Sequence, residues 1–438
     1  MSEIILVGLG VSGLACGMLL HENNIAFSAF EKETSVGGLT RSRRMDGFTF
    51  DYGPHVILST PNLYDRLNLD LEQCSCESSI FLNIDEIISV PAPIQHNLHR
   101  LPLVHRMRTF YDIVNRNVFP LDTLPNHFEQ QIISQSGKTL YKLFFHGYES
   151  KRLRFPLTEI DAGMPNRIQP PAISQLFGFS DTRNQSTCGG HDTHFKYPRR
   201  SGIDALPTAM LNTLPAEQIY YDHALFEIDL QKKLVTFTNN RKENFEYLVL
   251  SVPLPECIFL LKDAPKNLLE AAEHLIYSSI YVLNIGIEGK LPQSWGIARL
   301  PRKDVEFYRV SVPSHYSKNS VPEGCSSLTV EVAHHNHRYP LNEIDVRRRI
   351  YWGLKHLDIL KSESDVNVEW LHNIPYGHII YDQKTRSALE LIFGYLTQHG
   401  IYNCGKYGEW RDMLMNHSVE SGMRVAQQIV SEITKQVH

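Results

Sequence analysis

The sequence predicts an α/β (α+β) fold in which a parallel-sheet unit is assembled from discontinuous segments. Three observations carry this: a βαβ pattern at the N terminus, a second strand–glycine–helix pattern near the C terminus, and a helical stretch and a β-rich block between them. At 438 residues the chain exceeds one simple core, so two or three domains sharing an interface are expected. The expected division is a first domain from residues 1–90, 195–255 and 395–438, a helical insertion over 100–180, and a mixed or antiparallel β-sheet domain over 256–394.

Ile4 to Val7 are four apolar residues in a row, read as a buried parallel strand. Gly8, Gly10 and Gly13 follow at G-x-G-x-x-G spacing. Leu14, Ala15, Met18 and Leu19 then recur at helical period, and Asn23-Asn24 ends the helix. A second strand, Ile25 to Phe30, delivers Glu31 about 20 residues past the glycines. Gly8 permits the tight turn, Gly10 lets backbone approach a pyrophosphate, and Gly13 lets helix pack on strand. The helix start supplies free N–H groups and a positive dipole end, and Glu31 accepts hydrogen bonds from a ribose diol. Strand, helix, strand and acid in this order point to a dinucleotide. The second glycine pair, Gly37-Gly38 before Leu39-Thr40-Arg41, brings extra backbone to the same diphosphate, which fits FAD better than NAD.

Composition is ordinary for a globular chain, 42% hydrophobic and 21% charged. A net charge of −5 argues against a nucleic-acid binder, while local basic patches would suit a small anionic substrate. The uncharged run Ile4 to Leu20 is short for a membrane span, lacks a basic flank and carries the glycines, so no span is expected. Seven cysteines at scattered positions show no disulfide framework, and reduced thiols in a cytoplasmic setting are expected.

Arg41 to Thr60 reads as a β-hairpin around Asp46-Gly47, followed by the compact turn Gly53-Pro54-His55. His55 is equally a turn histidine or a group beside a flavin ring. Glu86 to Val90 reads as a strand, Pro91 to Pro102 as a proline-punctuated loop, and Thr109 to Arg167 as helical. The aromatic stripe of Phe144 and Tyr148 there reads as core. Around Tyr197 to Ala205 a basic loop opens a short helix. Ile219 to Val252 reads as one meander, with Leu225 starting its second strand. Strands are expected at Ile280 to Ile287, Glu306 to Pro313 and Ser326 to Val332, and a helix at Ile344 to Leu357. His334-His335-Asn336-His337 reads as an exposed polar loop, with no metal expected. Near the end, the strand Ile401 to Cys404 precedes Gly405-Lys406 and a helix from about His417, with Asn416 as N-cap and Glu420 in reciprocal contact. That helix start would face the flavin region that gains negative charge on reduction.

In order along nearly the whole chain, these stretches resemble the flavin-dependent UDP-galactopyranose mutases, within the broader amine-oxidase-like FAD proteins. The flavin side carries GLGVSGL, EKETSVGGLTRS, FDYGPHVILS and CGKYGEW. The substrate side carries FFHGYESKRLRFPLTE, Asn166 to Ile168, KYPRRSG, and FYRVSVPSHYS around Arg309. The resemblance implies a Rossmann-type FAD domain. It places FAD along Gly8, Gly10, Ser12, Gly13, Glu31, Lys32, Gly38, Leu39, Thr40, Gly53, Pro54, His55, Leu225, Gly405, Lys406, Asn416 and Ser418. It implies that reduced flavin acts as nucleophile at the sugar's anomeric carbon, that the nucleoside diphosphate leaves, and that the ring recloses in the other size without net redox change. His55, Arg167 and Arg309 are the implied catalytic residues, the two arginines stabilising the diphosphate.

The substrate side also departs from the family. Its glycine–arginine pair near the flavin is Gly405-Lys406 here, which keeps the charge and loses the planar fork. Arg299, His378 and Asp412 stand where phosphate-contacting tyrosines are placed, with Tyr308, Tyr376 and Tyr381 close by as alternatives. An aspartate there needs a cation such as Arg411 beside it. Gln95, Asn97, Arg299, Tyr376, His378 and Asp412 are the expected substrate contacts. The expected substrate is therefore a nucleotide sugar other than ordinary UDP-galactose, handled by mutase-like chemistry. The alternatives are an FAD oxidase or dehydrogenase of the amine-oxidase or protoporphyrinogen-oxidase type, and a flavin-binding protein without catalysis.

Overall fold

The computed structural model describes residues 4–58, 66–118, 124–178 and 194–437. Ser59 and Thr60, at the end of the predicted hairpin, lie outside the described residues. The first strand, Ile4–Val7, runs in the middle of a five-stranded parallel sheet. Its order is Ile401–Asn403, Tyr247–Leu250, Ile4–Val7, Ser28–Phe30, Ile219–Tyr220. Both faces are covered, which is why the strand is apolar throughout. Ile4 and Leu6 join a cluster with the helices Val11–Glu22 and Met415–Val437, while Ile5 and Val7 join one with Leu254–Phe259 and Thr385–Gln398.

The second strand is shorter than expected, Ser28–Phe30, because Asn24 takes a positive φ and the Ile25 N–H turns back to the Leu20 carbonyl. The predicted meander divides between two sheets. Leu225–Asp229, Leu234–Phe237 and Lys242–Asn244 form a small antiparallel sheet, whereas Ile219–Tyr220 and Tyr247–Leu250 belong to the parallel one. Apolar patterning marks strands and leaves their partners open.

A seven-stranded mixed sheet follows the order Val366–Tyr381, Leu275–Glu288, Cys325–His334, Arg309–Ser311, Trp295–Arg299, Glu77–Asn83, Ile87–Pro91. The hairpin over 77–91, which the expected division grouped with the N-terminal segments, pairs into this sheet through Trp295–Arg299. One face is covered by elements between Ile94 and Ile160, the other by Glu343–His356. The helical stretch includes Leu103–Val118, Phe128–Ser136 and a run of Lys138–Leu140, a π-helical turn Tyr141–Phe145 and His146–Leu153. Phe144 and Tyr148 are buried core there. Helical structure stops at Leu153, short of the expected Arg167, because Arg154 takes a positive φ.

Three smaller differences concern boundaries. The Pro91 to Pro102 loop contains 3-10 turns over Ile94–Arg100. The stretch Tyr197 to Ala205 is the end of the strand His194–Pro198 and the lead into the helix Ala205–Leu211. His334 is buried at the end of its strand, its Nε2 2.9 Å from Asn373 Oδ1, and exposure begins only beyond it.

The hairpin Ser42–Met45/Phe48–Asp51 docks on the seven-stranded sheet. Phe48 and Phe50 pack on Val368 and Trp370, and Asn284 Nδ2 donates to the Asp51 carbonyl at 3.2 Å. His372 Nε2 lies 3.0 Å from the Tyr52 carbonyl. This docking sets the Gly53–His55 turn over the seven-stranded sheet.

Candidate active site

The glycine turn has the shape and donors a diphosphate needs. Gly8 holds φ +92°, and a Cβ on Gly13 would run into the Gly8 carbonyl oxygen. A Cβ on Gly10, by contrast, would meet nothing within 4 Å, so backbone there faces open space. Gly10 precedes the helix Val11–Glu22 without any side-chain cap, which leaves the first N–H groups to an anion. Gly37 and Gly38, at φ +111° and +57°, bring the second glycine pair alongside. Leu39 packs on Ile280, Val282 and Ile374, tying this cradle to the seven-stranded sheet.

Glu31 is buried at the strand end. Its Oε2 accepts the Leu9 N–H at 2.7 Å and its Oε1 the Glu33 N–H at 3.1 Å. The carboxylate thus braces the glycine turn, and its remaining lone pairs are available to a diol. Burial pushes its pKa up, opposed by those two N–H groups. Gly405 lies against Ser12, so the C-terminal element closes on the start of the first helix. These residues fit FAD.

Beside the cradle, acids and bases from five segments converge. Arg309 and Glu331 face each other across adjacent antiparallel strands and form a two-point ion pair, Nη2 to Oε1 at 2.7 Å with Nε to Oε2 as the second contact. The Tyr308 hydroxyl donates to Glu331 Oε1 at 3.0 Å and lies 3.2 Å from His378 Nε2. Arg152 Nη1 is 3.4 Å from His378 Nδ1, and its Nη2 donates to Glu149 at 2.6 Å. Lys406 Nζ is 3.3 Å from Asp412 Oδ1.

The same groups act on one another's charge. Burial pulls His55 down to about 4, with Glu331, Arg309 and Lys406 all close enough to contribute. Burial, then Arg152, Lys406 and Arg309, hold His378 well below its usual range. For Asp412, desolvation acts upward and is outweighed by Lys406, Arg152 and Arg167, so it ionises below the usual carboxylate range. Lys406 thus acts on all three groups, Arg309 on both histidines, Arg152 on His378 and Asp412, and Arg167 on Asp412.

Not every expected contact is here. Arg299 is buried, bonded to Ser78 Oγ, and lies directly opposite Arg309 on the adjacent strand. Tyr376 packs among Tyr277, Tyr407 and Trp410, and the Tyr381 hydroxyl donates to the Trp410 carbonyl, leaving Tyr308 as the nearby phenol at the cluster. Asp412 is paired with Lys406, where Arg411 was the expected partner. Gln95 is buried, Asn97 donates to the Pro93 carbonyl within its own turn, and Lys32 is exposed. Leu225 packs at the edge of the core beneath the parallel sheet. The last helix begins at Met415, so Asn416 sits inside its first turn where it was expected as cap. Ser418 is buried, with its N–H on the Leu414 carbonyl.

Sequence reasoning missed Arg152, Glu149 and Glu331. Two signals were present: an acid and a base at i,i+3 in FFHGYESKRL, and a lone charge in the apolar strand SSLTVEVAH.

Comparison with known proteins fits this geometry. Residues 11–430 match the family described as flavin containing amine oxidoreductase. A crystal structure of reduced UDP-galactopyranose mutase superposes with a TM-score of 0.90 at 26% identity, covering 98% of this chain and 94% of that one. A putative protoporphyrinogen oxidase from Exiguobacterium sp. 255-15 shares the fold, with a TM-score of 0.75, 16% identity, and 98% and 99% coverage. A 4,4'-diapophytoene desaturase (4,4'-diapolycopene-forming) from Methylomonas sp is 32% identical over 154 residues, 35% of this chain and 25% of that protein. The chain thus spans about a quarter of the length of the curated relatives it matches. Family, fold and cradle agree, and the chain belongs to the flavin containing amine oxidoreductase family as an FAD-dependent enzyme.

Proposed function

We propose that this enzyme rearranges a nucleotide-activated sugar without net redox change, and that the sugar nucleotide is other than UDP-galactose. The observation that carries the reading is the convergence of Arg152, Arg167, Arg309 and Lys406 beside the FAD cradle. Such a cluster suits a diphosphate. With Glu149, Glu331 and Asp412 counted against the four cations the balance is still positive, which favours an anion over an amine, and so many ion pairs make a poor surface for a hydrocarbon.

When bound and reduced, the flavin supplies the nucleophile for the sugar's anomeric carbon. The chain's own residues do the rest. Arg309, fixed by Glu331, and Arg167 face the charge that grows on the departing diphosphate. Lys406 balances Asp412, so that the acid is tolerated near phosphate. His55 is neutral at working pH, and its Nδ1 lies 3.1 Å from the Gly53 carbonyl. That contact assigns the proton to Nδ1 and leaves Nε2 as an acceptor.

The substrate reading rests on the residues at the phenol positions. A neutral phenol donates one hydrogen bond to phosphate, whereas His378 and Asp412 offer a depressed imidazole and a carboxylate. Dithionite-reduced enzyme given UDP-galactopyranose or UDP-galactofuranose should leave both unconverted by chromatography. Ready interconversion would restore a plain mutase. The resemblance to a desaturase supports a second reading, net oxidation. That activity would consume an electron acceptor in proportion to product.

A further inference from the structure

The helix Leu103–Val118 carries its apolar residues on the wrong side for a helix that ends in solvent. Leu103, Val104, Met107 and Tyr111 each leave more than half of their surface exposed, and Phe110 is exposed beside them. Their spacing of i, i+1, i+4, i+7 and i+8 puts all five on one face. The opposite face holds the buried Thr109 and Ile113, which fasten the helix to the body. The apolar surface continues onto the neighbouring 3-10 turn Ile173–Phe177, where Ile173 and Phe177 are also exposed. Arg106 locks that turn in place by donating to the Leu176 carbonyl at 2.5 Å.

Among the described residues, charge on this face has one sign. Arg108 is exposed at its edge, and Arg100 is exposed just ahead of the helix. Among the described residues neither has an acidic partner. The acid within the helix, Asp112, is turned inward: its Oδ2 accepts the Thr139 N–H at 2.7 Å and its side chain packs on Gly137. A second copy placed on this face by a two-fold axis would set arginine near arginine. Anionic headgroups would complement the arginines while acyl chains take the apolar stripe. With 16 residues the helix is about 24 Å long, and a helix with one apolar face and basic flanks lies in the plane of a bilayer surface. Among the described residues no helix is long and apolar enough to cross a membrane, so contact by this face would be peripheral.

We infer that the face formed by Leu103, Val104, Met107, Phe110 and Tyr111, with Arg100 and Arg108 at its rim, docks the enzyme on an anionic lipid surface. The inference is independent of the substrate assignment, because none of these residues belongs to the cation cluster around His55.

The test is sedimentation of the full-length FAD-loaded protein with vesicles of phosphatidylcholine alone or of phosphatidylcholine and phosphatidylglycerol in equal parts. Wild type should pellet with the anionic vesicles and be released as salt is raised. The Val104→Glu/Tyr111→Glu variant should lose about tenfold or more of that binding. Arg108→Gln should weaken it further at low salt than at high salt. Both positions are exposed, so flavin content and thermal midpoint should be unchanged. Wild type left in the supernatant with both lipids, or variants that pellet like wild type, would overturn the inference. So would a wild-type dimer in sizing experiments that the double variant converts to monomer, since a second copy would then occupy the face.

Discussion

Glu331 holds Arg309 by both guanidinium contacts from the strand directly opposite, and Tyr308 donates to the same carboxylate. Burial pulls the Arg309 pKa down, and Glu331 more than offsets it, so the arginine stays charged. The pair also makes Arg309 and Arg167 unequal in their response to mutation. Arg309→Ala would strand the Glu331 carboxylate, which is only 3% exposed, and should cost about 3 kcal/mol of stability as well as turnover. Adding Glu331→Gln should recover most of the stability and none of the turnover. Arg167 is exposed, so Arg167→Ala should leave the thermal midpoint in place and lower kcat/KM by about 10- to 100-fold. Flavin content should be normal in all three. Wild-type kinetics in both arginine variants would remove these residues from the substrate pocket.

Gly10→Val should fold and remain colourless. Its Cβ would meet no protein atom within 4 Å, so the added side chain fills the space of the diphosphate without disturbing the fold. Gly13→Ala should instead lower the melting temperature sharply, because its Cβ collides with the Gly8 carbonyl. Flavin absorbance and far-ultraviolet circular dichroism on each variant distinguish the two outcomes. A yellow Gly10→Val protein would mean that the cofactor binds elsewhere.

His55 and His372 should each cost stability on mild acidification, against an opposite contribution from the buried Asp51, whose pKa is raised to about 6. Burial lowers both His55 and His372 to about 4. With the folded value below the unfolded one of about 6.5, the unfolded chain binds protons between those pH values that the folded chain refuses. The histidine contribution to stability therefore drops as pH falls from about 6.5 to 4, by about 2 kcal/mol per histidine after allowing for their partial exposure. Urea titrations at pH 7 and pH 4.5 on wild type and His372→Gln measure it. The variant should lose less stability over that interval, and equal losses would place the acid sensitivity elsewhere.

Lys151 should matter more than its surroundings suggest. Its buried ammonium donates to the carbonyls of Leu300 at 2.9 Å, Arg302 at 3.1 Å and Phe307, and burial lowers its pKa to about 7. It thus ties the helix His146–Leu153, which carries Arg152, to the loop leading into Tyr308 and Arg309. Lys151→Met would leave those carbonyls without their donor, at a cost of about 3 kcal/mol. Denaturant midpoints should show the loss, together with weakened substrate binding. A variant as stable as wild type would make the three contacts incidental.

The cofactor side was legible in the sequence because glycine spacing, an apolar strand and a terminal acid are local signals. Even there Glu31's second task escaped notice, since its bonds to the Leu9 and Glu33 N–H groups depend on how the turn folds back. The meander was misread for a related reason. The strand Tyr247–Leu250 is apolar on both faces, a pattern that also marks a central parallel strand, and its partners are Ile4–Val7 and Ile401–Asn403. The substrate side depends on contacts across long sequence distances, such as Arg152 to His378 and Tyr308 to Glu331, which no short window contains. Asn416 failed as a cap because a cap is decided by where the chain turns, and it turns before Met415.

The proposed role of the cation cluster, to hold a nucleotide sugar for rearrangement without net redox change, is tested most directly on the reduced enzyme. Anaerobic photoreduced enzyme should be incubated with a panel of nucleotide sugars and no electron acceptor, and the products separated by chromatography. One of them should change ring size over many turnovers while the flavin spectrum stays reduced. Product that forms only with stoichiometric consumption of an added acceptor, and no ring isomer from any nucleotide sugar, would contradict it.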